Sequence, residues 1–111
     1  MPKHPNDRLQ GTLDLLILKT LARGGSLHGY AIAQRIHQVT GDSLRIEEGS
    51  LYPALQRMTG DKWLRAQWGK TDTGRHARFY TMTPAGRRQL EEEERRWVLL
   101  KEAVNKALRF A

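Results

Sequence analysis

Apolar residues fall in distinct rhythms along this chain, and the changes of rhythm divide it into elements. From Arg8, the residues Leu9, Leu13, Leu16, Ile17, Thr20 and Leu21 recur at helical spacing and predict a first helix. Leu15 and Leu18 make its opposite face apolar too, which predicts cover on both sides, more than a small monomer has material to supply. Gly24-Gly25 provides the left-handed stop. Ser26, as the cap or just ahead of it, opens a second expected helix through Leu27, Tyr30, Ile32, Ala33, Ile36 and Val39, which closes at Gly41. Residues 42–48 read as a polar connector. A third helix is expected from Gly49 to Thr59, with Leu51, Leu55 and Met58 on one face. Pro53 is placed in its first turn, where a missing N–H loses no intrahelical partner.

Beyond Gly60-Asp61-Lys62 the period becomes two. Leu64, Ala66 and Trp68 alternate with Arg65 and Gln67, and Phe79, Tyr80 and Met82 lie in a second β-prone run. Residues 69–75, rich in Gly, Thr, Asp and Lys, read as the hairpin tip between them. Thr83 as N-cap and Pro84 at the first helical position open a last helix that runs towards the C-terminus. Three helices, a two-stranded hairpin and a long helix describe a mostly α, α+β chain: a winged helix-turn-helix followed by a C-terminal helix. The expected division is a flexible arm over 1–8, the winged helix-turn-helix over 9–83 and a dimerisation helix over 84–111.

Along that last helix Leu90, Trp97, Val104 and Ala111 recur at seven-residue spacing, with Leu100 and Ala107 following Trp97 and Val104 by three residues. With Leu108 they form a short seam of coiled-coil type, imperfect because Glu93 holds the equivalent place one heptad earlier. Arg95, Arg96, Lys101 and Lys106, set against residues 91–94 and Glu102, form a solvated zwitterionic face. Folding back onto the chain's own core is the competing use of such a helix. The two-sided first helix argues for a partner's helix instead.

Charge changes the picture next. The 111 residues carry a formal net charge of +7 and a pI of about 10.3. Residues 1–90 hold 14 basic and 7 acidic side chains, whereas residues 91–111 hold 5 of each, so the positive field belongs to the winged region. Such an excess favours a polyanion, nucleic acid or an anionic membrane surface. The most apolar stretch, residues 13–21, is broken by Asp14 and Lys19 and is too short for a bilayer. Together with a polar N-terminus unlike a signal peptide and an absence of cysteine, this leads to the expectation of a cytoplasmic protein without membrane contact.

The third helix is the candidate reader of a duplex. Gly49, Ser50 and Tyr52 lie at its N-terminus, where small hydroxyls, backbone amides and the helix dipole suit a phosphate. Gln56 and Arg57, one turn on, have the chemistry for adenine and guanine edges. Gly49-Ser50 also fits the plain cap of a core helix. The hairpin adds Lys70, Arg75, His76 and Arg78, opposed only by Asp72, which suits phosphate or a narrow minor groove. The same cations fit an edge strand guarded against aggregation.

His28-Gly29-Tyr30, the run from Gly49 through Ser50, Leu51, Tyr52, Pro53 and Ala54 to Leu55, and the run from Arg78 through Phe79, Tyr80, Thr81, Met82, Thr83, Pro84 and Ala85 to Gly86 resemble the PadR family of bacterial transcriptional regulators. The resemblance extends from about Gly11 to Leu90, and the length resembles the compact type with a single C-terminal helix. It implies a winged-helix DNA-binding domain, a C-terminal helix that dimerises, a repressor in many members, and in some an aromatic or phenolic small molecule that releases DNA. The DNA-facing set is then Tyr30, Gly49, Ser50, Tyr52, Gln56, Arg57, Lys70, Arg75, His76 and Arg78. The dimerising set is Leu90, Trp97, Leu100, Val104, Ala107 and Leu108, with Trp97 also the candidate effector contact, although an aromatic at a seam is more often core. Lys62 departs from the family pattern, which has glycine there. If the position needs a positive φ, lysine costs on the order of 1 kcal/mol.

The four histidines stand apart without metal-ligand spacing, the consecutive glutamates point around their helix, and Ser50 has no evident base. No catalytic residue, metal or cofactor is therefore expected, and the chain reads as no enzyme. His28 is expected to cap or orient the second helix. Two other readings stay open: a winged-helix module that binds protein alone, and an RNA binder. The second lacks a stacking platform, because Phe79 and Tyr80 fall on opposite faces of one strand.

Overall fold

The structure, a computed structural model, describes the backbone of residues 7–110 and the side chains of residues 11–110. Residues 1–6 of the expected arm, the side chain of Leu9 and Ala111 of the seam lie outside the described residues. The elements in chain order are α1 (Asp7–Gly24), β1 (Leu27–His28), α2 (Gly29–Val39), α3 (Glu48–Gly60), β2 (Leu64–Lys70), β3 (His76–Met82) and α4 (Pro84–Phe110).

The core is one cluster fed by every long element. Ile17, Leu18 and Leu21 of α1 meet Ile32 and Ile36 of α2, Leu51, Ala54, Leu55 and Met58 of α3, Leu64 and Tyr80 of the hairpin, and Leu90 of α4. Burying each large side chain contributes about 1.5–3 kcal/mol, so this cluster is what holds the three helices at their crossing angles. It also corrects the reading of α1. Of its second apolar face, Leu18 is fully buried and Leu15 half-buried within one chain, and α1 packs against α4 as well as α2 and α3. No partner is needed to bury Ile17 and Leu18, which are fully inaccessible in one chain.

The sheet has a third strand. Leu27 and His28 pair antiparallel with Tyr80 and Phe79, giving the order β1-β3-β2. The sequence places Leu27 inside the second helix, because two residues are too few to show alternation. In consequence α2 begins at Gly29, with His28 in the N-cap position but making no side-chain cap bond. β2 and β3 are in register from Leu64↔Met82 to Lys70↔His76, so the tip narrows to residues 71–75 and Gly69 lies within β2.

Local signals set the ends. Gly25 has φ +77° and returns its N–H to the Leu21 carbonyl at 3.0 Å. Lys62 does take the left-handed conformation, φ +69°, at the turn from α3 into β2. Thr83 clasps that turn to α4. Its N–H reaches the Trp63 carbonyl at 3.0 Å, its hydroxyl donates to the Lys62 carbonyl at 2.6 Å, and its oxygen accepts from the Gly86 N–H at 3.0 Å. A Cβ on Gly86 would collide with the Trp63 carbonyl, so the first turn of α4 sits hard against the turn. α3 starts at Glu48, one residue before its expected start, and this moves Pro53 into its second turn. The proline thus removes one helical hydrogen bond, on a face that is exposed.

Candidate nucleic-acid interface

α3 divides its residues cleanly. Leu51, Ala54, Leu55 and Met58 go to the core, and Gly49, Ser50, Tyr52, Pro53 and Gln56 face outward. The N-terminus of α2 crosses close above it, because a Cβ on Gly29 would stand 2.8 Å from the Tyr52 ring. Glycine at that place lets the two helix starts touch, and it gives the His28-Gly29-Tyr30 run a steric reason. Tyr30 projects from the same end, its hydroxyl accepting a hydrogen bond from Gln34. The His28 ring lies 5.3 Å from Phe79, which carries β1 and the start of α2 against the wing.

The wing closes the other side. Gly74, φ +85°, donates to the Thr71 carbonyl at 2.9 Å, and Thr71 donates to Arg75 at 2.8 Å, so the tip is tightly turned. Between wing and helices runs a groove of about 1060 Å³. Of the residues the sequence singles out, Tyr30, Tyr52, Lys70, Arg75, His76 and Arg78 line it together. Gly49, Ser50 and Gln56 are exposed on α3 outside its lining. Sequence reasoning missed Gln34, Arg35 and Gln38, which also line it from α2. Their signal was the polar side of α2, at helical spacing opposite Ile32 and Ile36.

Arg57 requires a correction. It is not free for a base edge, because its guanidinium makes two hydrogen bonds to the Asp14 carboxylate on α1, at 2.6 and 3.1 Å. Asp14 is only 5% exposed. Burial pushes its carboxyl above the usual range, more than the adjacent guanidinium pulls it down, and the same bond raises Arg57. Such a pair fixes geometry more than it adds stability. Here it ties the outer end of α3 to α1. Lys19, the other charge that breaks the apolar run of α1, reaches Glu94 of α4 at 3.4 Å. The two interruptions are thus links to two different helices.

Along α4 the expected seam splits. Leu90 is 4% exposed and belongs to the chain's own core, so it is not available to a partner. Glu93 takes a hydrogen bond from Gln89 at 2.8 Å beside α1. Its place in the heptad is therefore no flaw in a dimer seam. Trp97, Leu100, Val104, Ala107 and Leu108 are exposed, Trp97 by 44% and Leu108 by 72%. Val98, Leu99 and Phe110 are exposed apolar residues that the seven-residue pattern does not include. Among the described residues, no helix is long and apolar enough to cross a membrane.

Three helices, a wing against the start of the second and third, and a projecting last helix define a winged helix-turn-helix regulator. The chain belongs to the transcriptional regulator PadR-like family, whose sequence profile matches residues 17–92. A Lysinibacillus sphaericus protein of uncharacterised function is 30% identical over 100 residues, covering 90% of this chain and 91% of that one. Transcriptional regulator Rv3488 of Mycobacterium tuberculosis is 35% identical over 67% of this chain and 65% of its own. The structure of a Clostridium thermocellum transcriptional regulator superposes with a TM-score of 0.80 at 28% identity, covering 90% of this chain and 96% of the other.

Proposed function

We propose that this chain is a cytoplasmic, sequence-specific DNA-binding repressor that grips an inverted-repeat operator as a homodimer. α3 lies in the major groove, and the basic wing lies on the adjacent backbone or minor groove. What supports the reading is the convergence of Tyr30, Tyr52 and four wing side chains, Lys70, Arg75, His76 and Arg78, on one groove. Glu48 also lines it and opposes a phosphate at the α3 N-terminus. The anchoring charge therefore comes mainly from the wing, with Arg35 added from α2, and the tyrosine hydroxyls donate from the helices. The bare stripe of α4 supports two-fold pairing, which sets the half-sites about one helical turn apart or a multiple of it. An aromatic or phenolic effector stacks on Trp97 between the paired helices and releases the DNA.

The test is an anisotropy titration with duplex taken from upstream of the chain's own coding sequence. If the dimer neutralises roughly 6–10 phosphates, affinity falls about 10³–10⁵-fold between ~50 and ~200 mM salt. A flat response overturns the reading.

A further inference from the structure

Trp68 is the exposed aromatic of the wing that the core and the groove leave unexplained. It is 68% exposed, on a wing with no core beneath it. Its face of the hairpin starts buried, with Leu64↔Met82 and Ala66↔Tyr80, and then runs out past the helices to Trp68↔Arg78 and Lys70↔His76. The ring meets its cross-strand partner there: the Arg78 guanidinium carbon stands 6.0 Å from the indole centroid.

The two arginines of interest are held in opposite ways. Arg57 spends the edge of its guanidinium on Asp14. The Arg78 guanidinium lies over an indole, and no carboxylate among the described residues pairs with it. A guanidinium stacked on a ring keeps all five N–H donors pointing outward in its plane. A long side chain already ordered loses less rotamer freedom when it binds. Arg78 also lines the groove, with Lys70, His76 and Arg75 beside it, so an anion entering there meets that free edge.

We propose that Trp68 is a positioning residue, which holds Arg78 stacked and edge-on for the DNA phosphate or minor-groove acceptor that the wing meets. This rests on the DNA-binding reading above. Trp68 acts through Arg78 and makes no required contact of its own. Indole is the strongest ring for this purpose, and phenylalanine is a weaker substitute.

The experiment is a double-mutant cycle on the full chain, with Trp68→Thr, Arg78→Ala and both together, titrated against upstream duplex and random duplex at fixed salt. Thr suits a strand, and the exposed site leaves the fold intact, as circular dichroism and sedimentation will check. With two wings per dimer, Trp68→Thr is expected to weaken both duplexes roughly fivefold to thirtyfold. Trp68→Phe should restore most of that loss, and the double variant should bind no more weakly than Arg78→Ala alone. A purely structural role for the indole would not give this dependence on Arg78. Wild-type affinity in Trp68→Thr overturns the proposal. So do losses that multiply in the double variant, because Trp68 would then touch DNA by itself. If the unmodified chain binds neither duplex, the DNA-binding reading fails first and this inference falls with it.

Discussion

The two halves of α4 are one continuous helix in two surroundings. Over residues 84–94 it lies on the body: Gly86 abuts the Trp63 carbonyl, Leu90 enters the core and Glu94 holds Lys19. Over residues 95–110 every residue is exposed, although the helix continues for about 24 Å at 1.5 Å per residue. The ion pairs differ in the same way. Asp14–Arg57 is a bidentate, partly buried link between helices, whereas Arg95–Glu92 and Arg96–Glu92 are exposed pairs within one helix turn. Exposed pairs of that kind stabilise little. The apolar stripe nevertheless runs across both halves, from Leu90 to Trp97, Leu100, Val104 and Leu108. Composition along a helix therefore does not reveal where intramolecular cover ends. The first half packs on α1, and the second leaves an exposed apolar stripe, which the proposed dimer would cover.

The largest way to break this contrast is Leu100→Asp. In the proposed dimer it buries an unpaired carboxylate in the seam, at a cost of several kcal/mol. Sedimentation should then show monomer, with the helical signal of the body retained. A dimer that survives puts the interface elsewhere. From the body's side, Asp14→Ala strips Arg57 of its partner and should cost about 2–3 kcal/mol in denaturant titration, without changing how folded chains associate. Asp14→Leu combined with Arg57→Met should recover the loss. Unchanged stability in Asp14→Ala would mean the pair carries no weight.

Finer tests separate the two sides of the groove. Gln56→Ala should cost roughly 1–3 kcal/mol on operator DNA and little on random DNA, since α3 holds it exposed and the proposed complex turns that face to the base edges. Arg75→Ala should weaken both and lower the salt slope by about one, because phosphates are alike at every site. Equal weakening by Gln56→Ala would assign it to the backbone. The smallest effect is a gain. Lys62→Gly relieves a left-handed lysine and should raise stability by about 1 kcal/mol. A fall in melting temperature would show that the lysine side chain compensates its backbone.

Much of this was legible from residue types alone. Thr83-Pro84 opens α4, Gly24-Gly25 stops α1, and the change from helical to alternating period marks the hairpin. The wing cations and two tyrosines do share a groove. Arg57 shows where such reading stops. Gln56 and Arg57 are adjacent in sequence, but about 100° apart around α3, and only one of them faces α1. Nothing near Arg57 in the sequence names Asp14, 43 positions away, as its partner. Leu90 is the same case, since a seven-residue spacing cannot say which members of the series meet their own chain.

By itself the sequence determined the four helices and the hairpin, the stop at Gly24-Gly25 and the start at Thr83-Pro84, the winged order and the charge split between body and tail. Those depend on periodicity, capping and backbone conformation, which act within a few residues. The tertiary structure alone decided that α1 packs against α2, α3 and α4 of its own chain, with Leu18 of its second face fully buried. It alone paired β1 with β3, locked Arg57 to Asp14, set Arg78 on Trp68 and ended the cover of α4 near Glu94. Each of those depends on how elements distant in sequence cross, and that is fixed by the shape of the shared core, which no local stretch of residues contains.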